Sequence, residues 1–382
     1  MSRIDGKVKN WGSRSGKSKT KDPSKLDLLD KLKYQGLSTD LLEFAVNNPD
    51  TFAVMAQEIL ESKSKLIESS EATDLKKAFS TRLGTLYKGD CINLLTSDFI
   101  KDGSIDCIFA DPPFNLAKNY GSNVSDAMND EEYLEWTRTW LDLCVNKLKD
   151  GGSFFVYNIP KWSTYIAHHL NQSLTMKSWI TVDLTLSMPI PNRLYPSHYS
   201  LLYFVKGSKP KHFSPPRVPL KTCVRCGKEQ NDYGGYKNKM HPEGLNLRDV
   251  WTDIPPVRHN KYKNRDANEL SLKLLDRVLD IATEEGDVVF DPFGGSGTTY
   301  VAAELTKRKW IGVELGDTKP IIERLTNSED DIRLIEKYHG EINTLFTDCA
   351  LEKRLKHNIP VGQYRVSEEQ LRRVDPNQGM FQ

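Results

Sequence analysis

The sequence predicts an α/β fold, a doubly wound and mostly parallel sheet with helices on both faces. Three observations predict it. Strand and helix patterns alternate from residue 83 to residue 157, and the apolar run at 105–110 is typical of a strand buried on both faces of a parallel sheet. A glycine-rich turn at 294–297 then joins a later strand to a helix, as in nucleotide-binding sheets.

The N-terminal part divides into two segments. Residues 1–25 are rich in Lys, Ser and Gly with hardly an apolar residue, which predicts a disordered basic tail. Residues 26–80 carry apolar residues at spacings of three and four, among them Leu28, Leu29 and Leu32. We expect a small helical appendage there, and the pattern assigns no function to it.

Residues 83–205 are predicted to form the catalytic half of the sheet domain. A short strand at 85–87 precedes a helix at 91–100, and the buried strand at 105–110 follows. The next helix has one face of large apolar side chains, and the pair Gly151-Gly152 is predicted to stop it before a strand at 153–157. Two partly alternating strands complete this half at an antiparallel edge, at 179–187 and 199–205.

The rest of the chain falls into three parts. Residues 206–265 are rich in proline, glycine, basic residues and aromatics, so we expect an insertion and not a continuation of the sheet. Order returns at 266–316, the predicted cofactor-binding half, with an apolar helical face, a strand at 288–290, the glycine turn, a helix and a strand at 310–314. Residues 317–382 are mainly charged and predict a helical C-terminal extension.

Composition sets limits on the class of protein. The chain has 382 residues and 38% hydrophobic content, enough for one large catalytic domain with additions. It has no apolar run long enough to span a bilayer and no secretory signal, so no membrane role and a cytoplasmic location, associated with the nucleoid, are expected. The six cysteines are scattered apart from Cys223 and Cys226, which predicts reduced thiols.

The net charge of +1 hides an uneven distribution. Residues 1–25 hold eight Lys or Arg against two acids, and residues 206–265 hold fourteen against five. Such segregation indicates a polyanionic partner touched at two places, although a basic stretch is also often a solvated surface.

The tetrad Asp111-Pro112-Pro113-Phe114, directly after the buried strand, is the most informative motif. A carboxylate can accept one hydrogen of the exocyclic amine of a flipped base, the Pro112 carbonyl can accept the other, and the Phe114 ring can stack on the base. The two prolines leave the backbone little freedom. The alternative interpretation is a rigid turn without chemistry.

A second motif, at residues 291–299, predicts a cofactor site. Glycines between a strand and a helix let a ligand approach the backbone, and Glu314 ends the next strand, where it can accept hydrogen bonds from both ribose hydroxyls. Asp291 would bind the ammonium group of a methionine moiety or order the loop. Asp90 either binds adenine or only caps the following helix. Together, the two motifs predict methyl transfer from S-adenosylmethionine to an amino nitrogen.

These residues resemble the permuted beta group of DNA amino-methyltransferases. In that group the tetrad comes first, target recognition follows and the cofactor turn comes last, as 111–114, 188–265 and 291–299 do here; Lys88-Gly89-Asp90-Cys91 belongs to the resemblance as well. It covers roughly residues 83–316. The resemblance implies a class I methyltransferase fold with a reversed seventh strand, a flipped-base mechanism and, from the aspartate in the first place of the tetrad, adenine as the target.

The residues predicted for each role follow. The catalytic residues are Asp111, Pro112, Pro113 and Phe114. The cofactor-binding residues are Asp90, Cys91, Asp291, Pro292, Phe293, Gly294, Gly295, Ser296, Gly297, Thr298 and Glu314, with Asn268 and Ser271 in place of the His-Pro-Thr-Gln-Lys-Pro run of many family members. The DNA-binding residues are Arg193, Lys237, Lys239, Arg258, His259, Lys261, Lys263 and Arg265.

Cys223 and Cys226 have the spacing of half a zinc site, which His212 or His241 could complete. A single pair is weak evidence, so no metal is predicted.

The expected function is sequence-specific methylation of adenine N6 in double-stranded DNA, in a restriction-modification or epigenetic setting. A homodimer and a cognate restriction endonuclease are further expected partners. Two alternatives stay open: methylation of cytosine N4 by the same fold, and a catalytically silent DNA-recognition subunit.

Overall fold

The computed structural model describes residue 48 and residues 75–116, 128–184, 189–232, 234–255 and 269–374. Several predictions concern residues outside these ranges. They are the tail at 1–25, most of the appendage at 26–80, and the candidates Arg258, His259, Lys261, Lys263, Arg265 and Asn268.

Nine strands of the described residues form one sheet, in the order β1-β2-β9-β8-β3-β4-β6-β5-β7. Their bounds are β1 Lys76–Ser80, β2 Gly84–Lys88, β3 Ile105–Ala110, β4 Leu148–Asn158, β5 Thr175–Asp183, β6 His198–Val205, β7 Val250–Trp251, β8 Val288–Asp291 and β9 Lys309–Glu314.

The centre of the sheet is parallel, from β2 through β9, β8 and β3 to β4. β6 runs antiparallel to both of its neighbours, β4 and β5. This is the reversed strand that the resemblance implies, and the antiparallel edge predicted from the alternating patterns is confirmed.

The described helices cover both faces of the sheet, as predicted. Their bounds are α1 Cys91–Thr96, α2 Asp130–Lys147, α3 Pro160–Leu170, α4 Leu272–Ala282, α5 Thr298–Leu305, α6 Lys319–Thr326, α7 Glu329–Glu341, α8 Asp348–Lys356 and α9 Glu368–Val374. One apolar core lies between the sheet and α1, α2 and α3. A second core on the opposite face contains α4 and α5 with residues of α6 and α7.

Strands β4 and β5 begin at Leu148 and Thr175, before the predicted starts at 153 and 179. Two further predicted boundaries are also wrong. Residues 76–80 form strand β1, antiparallel to β2, and are not the end of a helical appendage; the pattern Lys-Lys-Ala-Phe-Ser is too polar to signal an edge strand. The helix predicted at 91–100 ends at Thr96, where the Thr96 hydroxyl donates to the Ile92 carbonyl and the Ser97 N–H to the Leu94 carbonyl.

Gly151 and Gly152 do not stop a helix, contrary to the prediction. Helix α2 ends at Lys147, and β4 begins one residue later, so both glycines lie inside the strand. Gly151 has a positive φ of 75°, its N–H donates to the Lys206 carbonyl, and its own carbonyl accepts from the Lys211 N–H. Gly151 therefore ties the beginning of β4 to the segment that follows β6.

The segment 206–265 is not wholly separate from the sheet, which corrects the predicted insertion. Val250–Trp251 adds β7 in parallel to β5. Other residues of the segment join the C-terminal extension in a third apolar core, which includes Leu220, Met240, Leu345, Phe346 and Tyr364. Two parts of the chain more than a hundred residues apart thus form one small packing unit.

Candidate active site

The two predicted motifs lie side by side at one edge of the sheet. β3 and β8 are parallel neighbours, with Cys107 opposite Val289 and Ile108 opposite Phe290. The carboxyl ends of parallel neighbours meet at the same edge, where open α/β sheets bind their ligands. The tetrad after β3 and the glycine-rich turn after β8 are therefore adjacent.

Two aromatic side chains from distant helices hold the tetrad. The Tyr133 hydroxyl of α2 donates to the Pro113 carbonyl at 2.6 Å, and the Trp162 indole N–H of α3 donates to the Phe114 carbonyl at 2.7 Å. Both donors are buried. These bonds fix the two peptide units that follow Pro113. The two prolines restrict the Pro112 carbonyl that precedes these units.

Phe114 lies in an aromatic cluster. Its ring centroid is 5.5 Å from that of Tyr199 and 6.4 Å from that of Tyr157. Phe114 is 8% exposed, whereas Asp111 and Pro113 are half-buried. The predicted stacking face of Phe114 is thus shared with two tyrosines that the sequence did not reveal.

The charge of Asp111 acts on this cluster and on the cofactor turn. Burial raises the pKa of Tyr157 and of Tyr199, and the Asp111 carboxylate raises both further. Burial raises the pKa of Asp291 to about 8, with Asp111 among the smaller contributions.

Asp291 orders the cofactor turn from within. Its carboxylate accepts from the Phe293 N–H at 2.9 Å and from the Thr299 hydroxyl, and the side chain is buried. Of the two roles predicted for Asp291, loop ordering is therefore directly visible.

The turn needs glycine at two places for different reasons. Gly297 precedes α5 with φ 75°, a left-handed conformation that other residues adopt at a cost. Gly312 of β9 has a different role, since an added Cβ would lie 2.3 Å from the Tyr300 ring. The Tyr300 hydroxyl in turn donates to the Asp291 carbonyl at 3.1 Å. The small size of Gly312 therefore lets Tyr300 reach the first residue of the cofactor turn.

Glu314 lies at the end of β9, as predicted. One carboxylate oxygen accepts from the Gly295 N–H at 2.7 Å and the other from the Gly316 N–H. The Lys88 ammonium donates to the Leu315 and Gly316 carbonyls nearby. The carboxylate is half-buried and tied to the glycine turn, so a ribose bound there would meet a positioned acid.

A family model for DNA methylases matches residues 105–319. The type II methyltransferase M.BamHI of Bacillus amyloliquefaciens is 50% identical over 330 residues, which cover 86% of this chain and 77% of that protein. The chain belongs to the N6/N4 DNA methylase family.

Two further proteins are similar to this chain. The DNA adenine methyltransferase YhdJ of Escherichia coli is 29% identical, with 62% of this chain and 80% of that protein covered. A solved structure of the PvuII DNA methyltransferase, described as cytosine-N4-specific, is 20% identical with a TM-score of 0.49 and covers 70% of this chain and 94% of that one.

Family membership confirms the predicted class of enzyme, a DNA methyltransferase with S-adenosylmethionine as the methyl donor. The residues of this chain suit that donor, since a strand, a glycine-rich turn, a helix and a strand-end acid follow in the required order. In the described part of the chain, no helix is both long and apolar enough to cross a membrane.

Two of the remaining cofactor candidates of this methylase lie at the start of α1. Asp90 caps α1 by accepting from the Ile92 N–H at 2.7 Å, which is the structural role that the sequence left open. Cys91 is buried, and burial raises the pKa of its thiol.

The other cofactor candidates lie around the glycine-rich turn. Ser271 is buried at the start of α4, and the Thr298 hydroxyl accepts from Arg324 at 2.9 Å. Pro292 and Ser296 are buried in the turn, with Phe293 half-buried beside Trp140.

The described DNA-binding candidates differ in their contacts with the rest of the protein. Arg193 is exposed. The Lys237 ammonium pairs with the Glu229 carboxylate at 2.6 Å, and the Lys239 ammonium lies 5.5 Å from the centre of the Tyr236 ring. Lys237 is therefore engaged in an ion pair within its own segment, whereas Arg193 and Lys239 are exposed.

The cysteine pair forms a tight turn. The Cys223 N–H donates to the Lys228 carbonyl at 2.7 Å and the Gly227 N–H to the Cys223 carbonyl at 2.8 Å. Backbone N–H groups of Cys226 and Arg225 lower the pKa of the Cys223 thiol. Among the residues described, neither His212, His241 nor any other ligand atom forms a three-ligand cluster with this pair.

Proposed function

We propose that this DNA methyltransferase acts on the exocyclic N6 amine of an adenine that is flipped out of a specific duplex sequence. The observation that carries the proposal is the adjacency of the tetrad and the cofactor turn at the carboxyl ends of β3 and β8. A base held by the first motif lies beside a donor held by the second.

The chemistry asks for positioning more than for a strong base. An exocyclic amine conjugated to its ring is a poor nucleophile, and hydrogen bonds to Asp111 and the Pro112 carbonyl would direct its lone pair toward the methyl group. S-adenosylmethionine supplies that methyl in an already reactive form. Alignment of the two reactants within one site removes much of the entropic barrier.

Aromatic stacking supports the extrusion of the base. Phe114, Tyr157 and Tyr199 form the cluster next to Asp111. Stacking of a base on an aromatic side chain contributes about 1–3 kcal/mol in single-strand binders. A contribution of that order offsets part of the cost of unstacking the target from its neighbours.

Cytosine N4 is the second candidate target. The groups described above would recognise an amine attached to an aromatic ring, and both adenine and cytosine carry one. The tetrad aspartate favours adenine by the family resemblance alone.

The deciding experiment is mass analysis of nucleosides from host DNA that expresses the protein. We expect N6-methyldeoxyadenosine in this DNA. It should be absent from the DNA of a host that expresses Asp111→Ala. Methylated cytosine N4 without methyladenine would show that the target base is cytosine and not adenine. No modified base at all would support the silent recognition subunit.

We also propose a type II modification role, in keeping with the name of the relative that is 50% identical. Mapping of modified positions across the genome of the expressing host gives the target sequence. Plasmid from that host should then resist an endonuclease that cuts the same sequence, and cleavage would contradict a protective role. The proposed homodimer stays a prediction.

A further inference from the structure

A small turn precedes the reversed strand β6 at the edge of the sheet that carries the active site. Ile190 and Arg193 form an antiparallel bridge, and Asn192 at the tip has a left-handed φ of 61°. The Leu184 N–H donates to the Ser197 carbonyl at 2.8 Å, which ties the base of the segment to the sheet. The turn therefore has a defined shape and a fixed place.

Leu194 extends from this turn into solvent. It is 92% exposed, more than any other large apolar side chain in the part of the chain that the structure describes. A single exposed leucine is ordinary on a protein surface. Its position, and not its exposure alone, is what distinguishes it.

That position is the rim of the base-binding cluster. Tyr199, five residues further on, has its ring 5.5 Å from Phe114 and 5.0 Å from Tyr157. β6 begins at His198, and Ser200 pairs with Asn158 at the carboxyl end of β4, so the turn leads into the edge of the sheet that carries the tetrad. Leu194 lies four residues before the start of β6 at that edge.

We propose that Leu194 enters the DNA duplex as an apolar wedge and fills the space that the target base leaves when it flips into the pocket. The inference rests on the proposed function. Extrusion of a base exposes the faces of the two neighbouring base pairs, and several DNA-binding proteins insert an apolar side chain at such a step.

The surroundings of Leu194 suit this contact. A leucine that starts in water gains the full benefit of burial between base pairs. Arg193, also exposed, lies next to it and brings a positive charge that can neutralise a phosphate beside the opened step. The bridge between Ile190 and Arg193 directly precedes Leu194 in the chain.

The test compares two duplexes that contain the mapped target sequence. In one, the target base is paired; in the other, it faces an abasic site, which lowers the cost of extrusion. Leu194→Ala should lower kcat/KM on the paired duplex by about tenfold, as expected for loss of one buried leucine side chain. On the duplex with the abasic site it should transfer methyl as the wild type does.

Two variants serve as controls. Leu194→Met keeps a long apolar side chain and should retain wild-type rates on both duplexes. Phe213→Ala removes another exposed apolar side chain, 58% exposed and stacked on Tyr203. It lies near Lys211, which pairs with Asp106 and Asp287 at the opposite edge of the sheet, and should have no effect.

Three results would overturn the wedge. Leu194→Ala could match the wild type on paired DNA, which would leave no role in base flipping. It could lose the same factor on both duplexes, which would indicate a general contact or a folding defect. Wild-type protein that methylates neither duplex would remove the proposed function itself, and the wedge with it.

Discussion

The two turns at the active edge are built by opposite means. The cofactor turn after β8 is held mainly by its own residues and those of the next strand, through Asp291, Thr299 and Glu314. The tetrad after β3 is held from outside, by Tyr133 of α2 and Trp162 of α3. We infer that damage to the first turn acts on cofactor binding, and damage to the supports of the second acts on turnover.

The largest effect is expected from Asp111→Ala. Loss of a hydrogen-bonding group aimed at the reacting atom should lower kcat by about 10²-fold or more. The affinity for S-adenosylmethionine should stay unchanged, because Asp291, Thr299 and Glu314 supply the bonds that order the cofactor turn. Turnover on the mapped duplex and calorimetric cofactor binding measure the two quantities.

Asp150→Ala, at an exposed position of β4, is the matched control and should match the wild type. Full activity of Asp111→Ala would remove the central assignment.

A smaller effect is expected from Tyr133→Phe, which deletes the donor to the Pro113 carbonyl and the acceptor of a longer bond, 3.4 Å, from the Asn158 side-chain amide. The tetrad would lose one of its two external supports, so kcat should fall by about tenfold, the order of one hydrogen bond to a buried group. Cofactor affinity should not change. Tyr165→Phe on α3, at a half-exposed ring, controls for loss of a hydroxyl.

A fall in cofactor affinity for Tyr133→Phe, with kcat unchanged, would show that the two turns are not supported independently.

The difference between the turns also explains what the sequence could predict. Asp291, the glycines and Glu314 lie within one strand-turn-helix-strand unit, so spacing alone placed them correctly at the edge of the sheet. Tyr133 and Trp162 lie 20 and 48 residues from the carbonyls they bind. Tyr133 belongs to α2, whose face of large apolar side chains is predicted from the sequence, and nothing in the sequence indicates its role at the tetrad.

The same distinction between local and distant contacts explains which parts of the fold the sequence predicted. The central strands and most helices were predicted, because their apolar periodicity is local. β1 and β7 were not, since an edge strand is polar and a strand of two residues has no period. The third core also escaped prediction, because Leu220 and Leu345 pair only after the chain has folded.

Glu314→Gln should affect cofactor affinity alone, and more weakly than the tetrad variants affect turnover. A neutral amide can still accept from one of the two N–H groups that Glu314 binds, but it cannot do so with both of its polar atoms. We expect severalfold weaker binding of S-adenosylmethionine and unchanged kcat at saturation. Glu323→Gln, at an exposed position of α6, is the control.

Should Glu314→Gln change only kcat, the ribose role of Glu314 would be wrong.

The smallest effect on activity is expected from Asp291→Asn. With a pKa of about 8, the buried Asp291 carboxyl is mostly neutral at pH 7, so a neutral amide replaces a neutral acid. Methyl transfer at pH 6.5 should therefore stay close to that of the wild type. The distinguishing signal lies in the pH dependence of stability.

The sign of that dependence follows from proton binding. Between pH 4 and 8 the folded state holds a proton on Asp291 that the unfolded state has lost, so this group makes the free energy of unfolding fall as pH rises. The slope is at most about 1.4 kcal/mol for each pH unit. In Asp291→Asn this contribution is absent, so the stability of the variant relative to wild type should rise across the window and level off above pH 8. Denaturant unfolding at a series of pH values measures it, and parallel curves for the two proteins would show that the carboxyl inside the cofactor turn is ionised at neutral pH.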